Sequence, residues 1–427
     1  MMFNRSSAIR FLIFILMSLN LWGCKTPQEA INSNSAQLVK NGAYFLFLSD
    51  IHLDASRHKT DSTQDTGLDL WQNCTIKLDS ILNSPDPPKF VMCTGDLPAH
   101  YKCITGCFLT GEKLAAHNKN IMTVLSDLRK LVAKNGIPLF YIPGNNDPIA
   151  GDYYSFANQN KQTLFSLVDE SILAFPALNV STKKLATHII SMPDTTMGYY
   201  SALIINGLRV IALNSNIFAK KYHSVDGISQ IKAGNTEMNW LSEQLKDAQS
   251  KGEKVYIAMH IPPGKDWALL PSKKNLWLNS FLSLSDKYQS TIVGIFYGHT
   301  HMDELRLLYD STGKKMTQVA ISCPGITPIH GNNPAFKLVS FDPQSLKPIN
   351  FTTYYSSVSA ASWGNKTYQF TTVFHTDPKK AMYESLKTMS ISEINKDMNL
   401  IYTVRHGKPN YHGKPYNTMN TMIVKWK

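Results

Sequence analysis

One order recurs along this chain and constrains its fold more than anything else. A short apolar run ends at once in a cluster of polar residues, and a longer stretch with helical spacing follows. Five runs carry the pattern: Tyr44 to Leu48, Phe90 to Cys93, Leu139 to Ile142, Val255 to Met259 and Thr291 to Tyr297. Runs this short with turn signals beside them read as buried strands. Leu68 to Leu82, Glu112 to Lys134 and Thr236 to Lys251 have apolar residues at helical spacing and read as crossover helices, the second closed by Gly136 just before Pro138. Tyr199 to Ile205, Asn206-Gly207 and Leu208 to Leu213 form a hairpin signal, because Asn-Gly supplies the two positive φ angles of a tight turn. A second hairpin runs from Glu304 to Tyr309, through Asp310-Ser311-Thr312-Gly313, to Ile321, with Phe336 to Phe341 and Ile349 to Tyr355 pairing behind it. Crossovers and hairpins together predict an α/β protein with two packed sheets and helices outside.

The polar clusters stand where open α/β sheets present functional groups, just past the strand ends. They are Ser49-Asp50-Ile51-His52, then Thr94-Gly95-Asp96-Leu97-Pro98-Ala99-His100, Pro143-Gly144-Asn145-Asn146-Asp147, His260, and Gly298-His299-Thr300-His301. Taken singly each has a bland reading as a cap, a turn or a satisfied core histidine. Five successive strand ends all offering oxygen or nitrogen donors do not.

Composition bounds the rest. The 427 residues are 43% hydrophobic and 17% charged, which excludes a disordered chain and a multi-span membrane protein. Lys and Arg number 43 against 31 Asp and Glu, a net charge of +12 that favours anionic substrates or surfaces. No basic run has the length of a nucleic-acid arm, so no nucleic-acid-binding module is expected. No repeat at solenoid or propeller period is visible.

Arg5 and Arg10 precede an apolar stretch, Phe11 to Gly23, too short to span a bilayer, so residues 1–23 read as a secretory signal peptide. The stretch ends Leu21-Trp22-Gly23-Cys24, which looks like a bacterial lipobox; lipid attachment at Cys24 with membrane association, or a soluble periplasmic or secreted product, are both open. Either way export is expected, and residues 24–40 read as a tether. Beyond Cys24 the chain has Cys74, Cys93, Cys103, Cys107 and Cys323; Cys103 and Cys107 are near enough to close a small loop, and Cys93 reads as a buried thiol. Residues 41–375 form the expected main domain. Residues 376–427, with a helical stretch from Pro378 to Leu400 and then a Lys, His, Tyr and Asn-rich tail, read as a C-terminal subdomain.

The ordered set Asp-x-His, Gly-Asp, Gly-Asn, His and Gly-His-x-His resembles the calcineurin-like metallophosphoesterase superfamily. Gly95-Asp96-Leu97-Pro98-Ala99-His100 is similar to the segment of its acid sphingomyelinase-like phosphodiesterase branch, and Gly144-Asn145-Asn146-Asp147 resembles the endopolyphosphatase-like members. The resemblance spans about residues 44 to 340. It implies the metallophosphoesterase fold, two packed mixed β-sheets flanked by helices in an α/β/β/α sandwich. It also implies a centre of two divalent ions bridged by Asp96, with Asp50, His52 and His301 completing one seat and Asn145, His260 and His299 the other. Imidazole and carboxylate donors suit zinc, manganese or iron, and the branch suggests zinc.

The activity implied is hydrolysis of a phosphodiester or phosphoanhydride by a metal-activated hydroxide, with His100 protonating the leaving oxygen. Endopolyphosphatase and nucleotide pyrophosphatase or phosphatase activities are the nearest alternatives. Many relatives place His directly after Gly-Asn, whereas this chain has Asn146, which cannot deliver a proton; a metal-binding surface protein with little turnover is therefore the other class kept open. The Arg of protein Ser/Thr phosphatases and the iron-ligating Tyr of purple acid phosphatases are both missing around Asp96, which turns the reading away from phosphoproteins. Arg57 and His58 either touch substrate phosphate or belong to a solvated loop. The segments Tyr101 to Thr110 and Pro262 to Lys274, with Trp267, are expected to shape the pocket. The motifs leave oligomeric state open.

Overall fold

The computed structural model describes residues 43–101, 108–167, 189–268, 276–359, 362–408 and 421–426. The leader, the tether, Cys24 and the Cys103–Cys107 pair lie outside them. Among the described residues no helix is long and apolar enough to cross a membrane.

Alternation of side chains along the first strand sets the layering. In β1 (Ala43–Leu48), Phe45 and Phe47 face one way and Tyr44, Leu46 and Leu48 the other, so both faces must be covered. The outward set packs on helices α1 (Leu68–Leu82) and α2 (Gly111–Ala133). The inward set meets a second sheet, with Phe45 edge-on to Phe296 at 5.2 Å and stacked on Phe90 at 4.6 Å. Strands β2 (Val91–Cys93) and β3 (Leu139–Tyr141) lie parallel to β1 in register Leu46↔Val91↔Leu139.

The second sheet holds β4 (Ile189–Ser191), the hairpin β5 (Tyr200–Ile205) and β6 (Leu208–Ala212), then β7 (Lys254–Ala258), β8 (Ile292–Tyr297), β9 (Leu305–Tyr309) and β10 (Met316–Ser322). Its outer face is covered by α3 (Gln230–Ser250) and α4 (Leu276–Lys287). β11 (Ala335–Phe341), β12 (Pro348–Tyr355) and β13 (Lys366–Gln369) return to the first sheet, whose order is β13-β12-β11-β1-β2-β3. After α5 (Phe370–Val373), α6 (Met382–Leu386) and α7 (Ile391–Asn399), the short β14 (Ile423–Val424) joins the second sheet, ordered β14-β9-β10-β8-β7-β6-β5-β4. The result is the expected α/β/β/α sandwich of two mixed sheets.

Three details depart from the sequence reading. Helix α3 starts six residues before Thr236, capped by Ser229, whose hydroxyl accepts the Lys232 N–H. Gly234 hid that extension; it is glycine because the Trp277 ring lies against it, where a Cβ would come within 2.6 Å. β11 and β12 do pair, but beside β1 in the first sheet, not behind the β9–β10 hairpin. The stretch from Pro378 to Leu400 is two short helices, the second opened by a Ser390–Glu393 capping box. From this region Met382, Leu386, Ile394, Met398 and Ile401 enter the same apolar cluster as Phe45 and Phe47. Cys74, Cys93 and Cys323 are buried free thiols, with burial pushing the Cys93 thiol up to about 12.

Candidate functional site

β1, β2 and β3 of one sheet and β7 and β8 of the other end on the same side of the sandwich, so their following loops meet across the sheet junction. Asp50, His52, Asp96, Asn145, His260, His299 and His301 converge there. His260 Nε2 lies 3.1 Å from Asp96 Oδ2, and His52 Nε2 lies 3.4 Å from the same oxygen. His301 Nε2 is 3.4 Å from Asp50 Oδ1, while His52 and His260 are each 3.9 Å from it. The His299 and His260 rings stand 5.2 Å apart. Asp50, His52 and His260 are completely buried.

Such closeness is bought with backbone strain. Asp50, His52, Asp96, His299 and His301 all have positive φ, between 45° and 71°, where a non-glycine residue costs on the order of 1–3 kcal/mol. The flanking glycines are needed for contact: a Cβ on Gly144 would sit 2.1 Å from Asp96 Oδ1, and one on Gly298 would sit 1.9 Å from Ser49 Oγ.

The donors are also oriented. His52 Nδ1 faces the Pro98 carbonyl at 3.0 Å and His260 Nδ1 the Thr94 carbonyl at 2.6 Å, so in each neutral ring Nδ1 carries the proton and Nε2 presents its lone pair to the cluster. Those two Nε2 atoms are buried and make no hydrogen bond, and neither does Asn145 Oδ1. Asn145 is turned by Asp152, whose Oδ1 accepts from its Nδ2 at 2.7 Å and so aims the amide oxygen the other way. The Asp50 carboxylate accepts from Ser49 Oγ and the His299 N–H.

Buried polar atoms without partners are destabilising, and here they surround two buried carboxylates. Burial opposes a charge on His52, but the nearby Asp50 and Asp96 carboxylates outweigh it and, with no cation bound, raise the ring to about 9; Asp96 does the same for His260, also to about 9. Burial by itself would raise Asp96, yet His260 and His52 hold it well below the ordinary carboxylate range. Burial and the charge of His260 push His299 down to about 4. This donor set fits divalent cations. Among the described residues three groups have donor atoms within 4.8 Å of one another: Asp50, His52 and Asp96; Asp96, His260 and His299; and His52, His100 and His301.

The calcineurin-like phosphoesterase model matches residues 43–303, which contain every one of these residues. The chain belongs to the calcineurin-like phosphoesterase family. As a member it is a hydrolase acting on phosphoric ester bonds, and the family is dimetal-dependent. Among its relatives are the cyclic GMP-AMP phosphodiesterase SMPDL3A of Bos taurus, 27% identical over 333 residues, covering 74% of this chain and 68% of the relative. Sphingomyelin phosphodiesterase 1 of Caenorhabditis elegans is 30% identical over 173 residues, 40% of this chain and 29% of that protein. Of solved structures, a dimetal phosphatase from Danio rerio is similar with a TM-score of 0.44 and 12% identity, covering 75% of this chain and 99% of that one.

His100, expected from sequence as a proton donor in this phosphoesterase, lines the cavity above the cluster. Its ring stacks on His52 at 3.9 Å, and its Nδ1 and its own N–H are both held by Asp65 at 2.8 Å. Burial disfavours the Asp65 charge, but the hydrogen bond to His100 more than offsets it and keeps the carboxyl low. Asn146 faces inward as a clasp, donating from its backbone N–H and its Nδ2 to the two oxygens of Asp96. Arg57 and His58 pair with Asp54 and Asp69 away from the cavity. Trp267 is fully buried against Phe218 rather than in the pocket wall, while residues 102–107 and 269–275 lie outside the described residues.

Several contributors escaped sequence reading. Asp147 accepts from the N–H groups of Asp96, Leu97 and Gly144 and from Tyr141 Oη, tying two loops together. Asp303 anchors the loop after His301 to the first sheet through Lys337 at 2.6 Å, Thr353 and Tyr368. Asp65, Asp152 and His330 join the site from loops with no motif. A signal existed only for Asp147, which stands in the Gly-Asn-Asn-Asp fragment.

The Asp152 contact makes a test. Asp152→Asn leaves the Asn145 amide free to turn its NH2 toward the cluster. Affinity for the more weakly held ion is expected to fall about 10–100-fold, as for other residues that orient a ligand. Chelator competition measures it; unchanged affinity for both ions would show that Asp152 does not set the amide.

Proposed function

We propose that this chain is an exported, binuclear metal-dependent phosphohydrolase that cleaves phosphodiester or phosphoanhydride bonds. Asp96 would bridge two ions, with Asp50, His52 and His301 on one and Asn145, His260 and His299 on the other. Zinc is the first candidate and manganese or iron the alternatives, since the donors are imidazole, amide and carboxylate with no thiolate. Export rests on the leader reading of residues 1–23; lipid attachment at Cys24 and a soluble product are the two forms that reading allows.

The observation that carries the reading is the pair of buried donor atoms without hydrogen-bond partners, His52 Nε2 and His260 Nε2, at the Asp96 carboxylate, with the equally buried Asn145 Oδ1 from the wall of the same cavity. Bound ions would supply Lewis acidity toward the phosphoryl oxygens and a lowered pKa for a water. The protein's own part is to hold the ester in the cavity of about 370 Å³ and to move one proton. With Nδ1–H on Asp65, the protonated ring of His100 has its Nε2 proton left to give to the leaving oxygen, and Asp65 fixes the orientation of the ring. Lys220 and Lys221 line the same cavity and offset the charge of the bound anion, the Lys221 ammonium standing 5.1 Å over the Tyr153 ring.

Asn146 is committed to Asp96, so no second imidazole follows Asn145. That favours substrates whose leaving group needs little protonation, and keeps endopolyphosphatase and nucleotide pyrophosphatase activities beside the phosphodiesterase reading. The test is a panel of sphingomyelin, nucleoside triphosphates, cyclic dinucleotides and polyphosphate with defined added metals. Hydrolysis of at least one, abolished by chelation and restored by zinc, manganese or iron, is the expected result. Two bound ions without turnover on any of them would instead favour a metal-binding surface protein.

A further inference from the structure

Two unlike groups line the cavity above the cluster. Lys221 stands over Tyr153, whose ring is 6.3 Å from His299, while His100 and His330 stand together beside His301. His330 belongs to no strand-end motif and comes from the loop between β10 and β11. That loop is bound to the site's own backbone: the Thr327 N–H donates to the Asp50 carbonyl and the Gly325 N–H to the His301 carbonyl, each at 3.1 Å. Asn332 Nδ2 spans it internally, reaching the Thr327 carbonyl at 2.9 Å and the Gly325 carbonyl at 3.2 Å, and the Gly331 N–H closes a turn on the Pro328 carbonyl. The imidazole is therefore presented from a rigid support, 4.3 Å from the His301 ring and 6.2 Å from the His100 ring. Among the described residues His330 is in none of the three groups whose donors could share an ion.

We infer that His330 is a substrate contact, an imidazole that donates a hydrogen bond to an oxygen of the bound phosphate ester on the leaving-group side, next to His100. The inference rests on the hydrolase reading above and assigns the part of the cavity beside His100 to the leaving group. A half-buried ring on a cavity wall is suited to this, because a donor held in place loses little freedom when the anion arrives. The group recognised is a phosphoryl or ester oxygen, so removing His330 weakens anion binding without removing the ions.

The experiment compares wild type, His330→Ala and His330→Asn, each loaded with metal. Metal content is measured first, then the affinity for inorganic phosphate by calorimetry, then KM and kcat for bis(p-nitrophenyl) phosphate. His330→Ala is expected to keep wild-type metal content, weaken phosphate about tenfold and raise KM by a similar factor; His330→Asn, which keeps a donor, should recover part of both. Phosphate affinity within about twofold of wild type in His330→Ala would overturn the inference, since one hydrogen bond to a charged group is worth more than that. Loss of metal in step with loss of phosphate would also overturn it, by placing His330 in support of the ions. The two readings fail separately: a wild type that binds metal and phosphate but hydrolyses nothing sinks the hydrolase reading, while the phosphate arm still decides His330.

Discussion

Asp96→Asn is expected to lower kcat/KM at least about 10³-fold, on the order of 4 kcal/mol of lost transition-state stabilisation. The carboxylate lies 3.4 Å from His52 Nε2 and 3.1 Å from His260 Nε2, nearer to both than Asp50 is, and it accepts from two donors of Asn146. An amide is neutral and presents NH2 where one of those donors now points, so it can neither offset two neighbouring cations nor keep the clasp intact. Stability should fall as well. His260 and His52 hold Asp96 in its charged form, so Asp96→Asn should unfold below wild type in chelator, and further below it with metal present, where bound ions add stability to wild type alone. Metal content by elemental analysis and thermal unfolding in both conditions check this. A variant that keeps two ions and full activity would remove Asp96 from the centre.

His100→Ala is expected to depend on the leaving group. For an alkyl phosphodiester the departing alkoxide is a poor leaving group and needs its proton in the transition state, so the loss should be about 10²–10⁴-fold. For a nitrophenyl ester or a phosphoanhydride the leaving oxygen already carries its charge well, and the loss should be only a few-fold. Asp65→Asn should follow the same order with smaller losses, because Asp65 acts through the ring it holds at 2.8 Å. The measurement is kcat/KM for matched alkyl and aryl diesters in each variant. Equal loss on both would exclude His100 as the proton donor and leave it a structural role against His52.

The parts of this site legible in the sequence are those whose chemistry and placement are local. Asp50 and His52 follow β1 directly, Asp96 follows β2 and Asn145 follows β3, so reading the strands correctly also reads the donors. α1 was legible to its ends, because Leu70, Trp71, Cys74 and Leu78 keep helical spacing. α3 was shortened by Gly234, whose reason is a tryptophan more than forty residues away. Placing β11 and β12 failed likewise: hairpin pairing is local, but which sheet accepts the hairpin depends on β1, almost 300 residues earlier.

By itself, then, the chain determined its layers, the strands that end at the site and the chemical identity of the donors, because period, turn residues and side-chain type all act within a few residues. Tertiary structure alone decided that Asp65 would hold His100, that Asp152 would turn Asn145, that Asn146 would clasp Asp96 and that His330 would face the cavity. It also decided the left-handed backbone at Asp50, His52, Asp96, His299 and His301. These outcomes depend on loops from two sheets pressing together, and strain of that kind persists only where packing and hydrogen bonds from distant segments over-determine it.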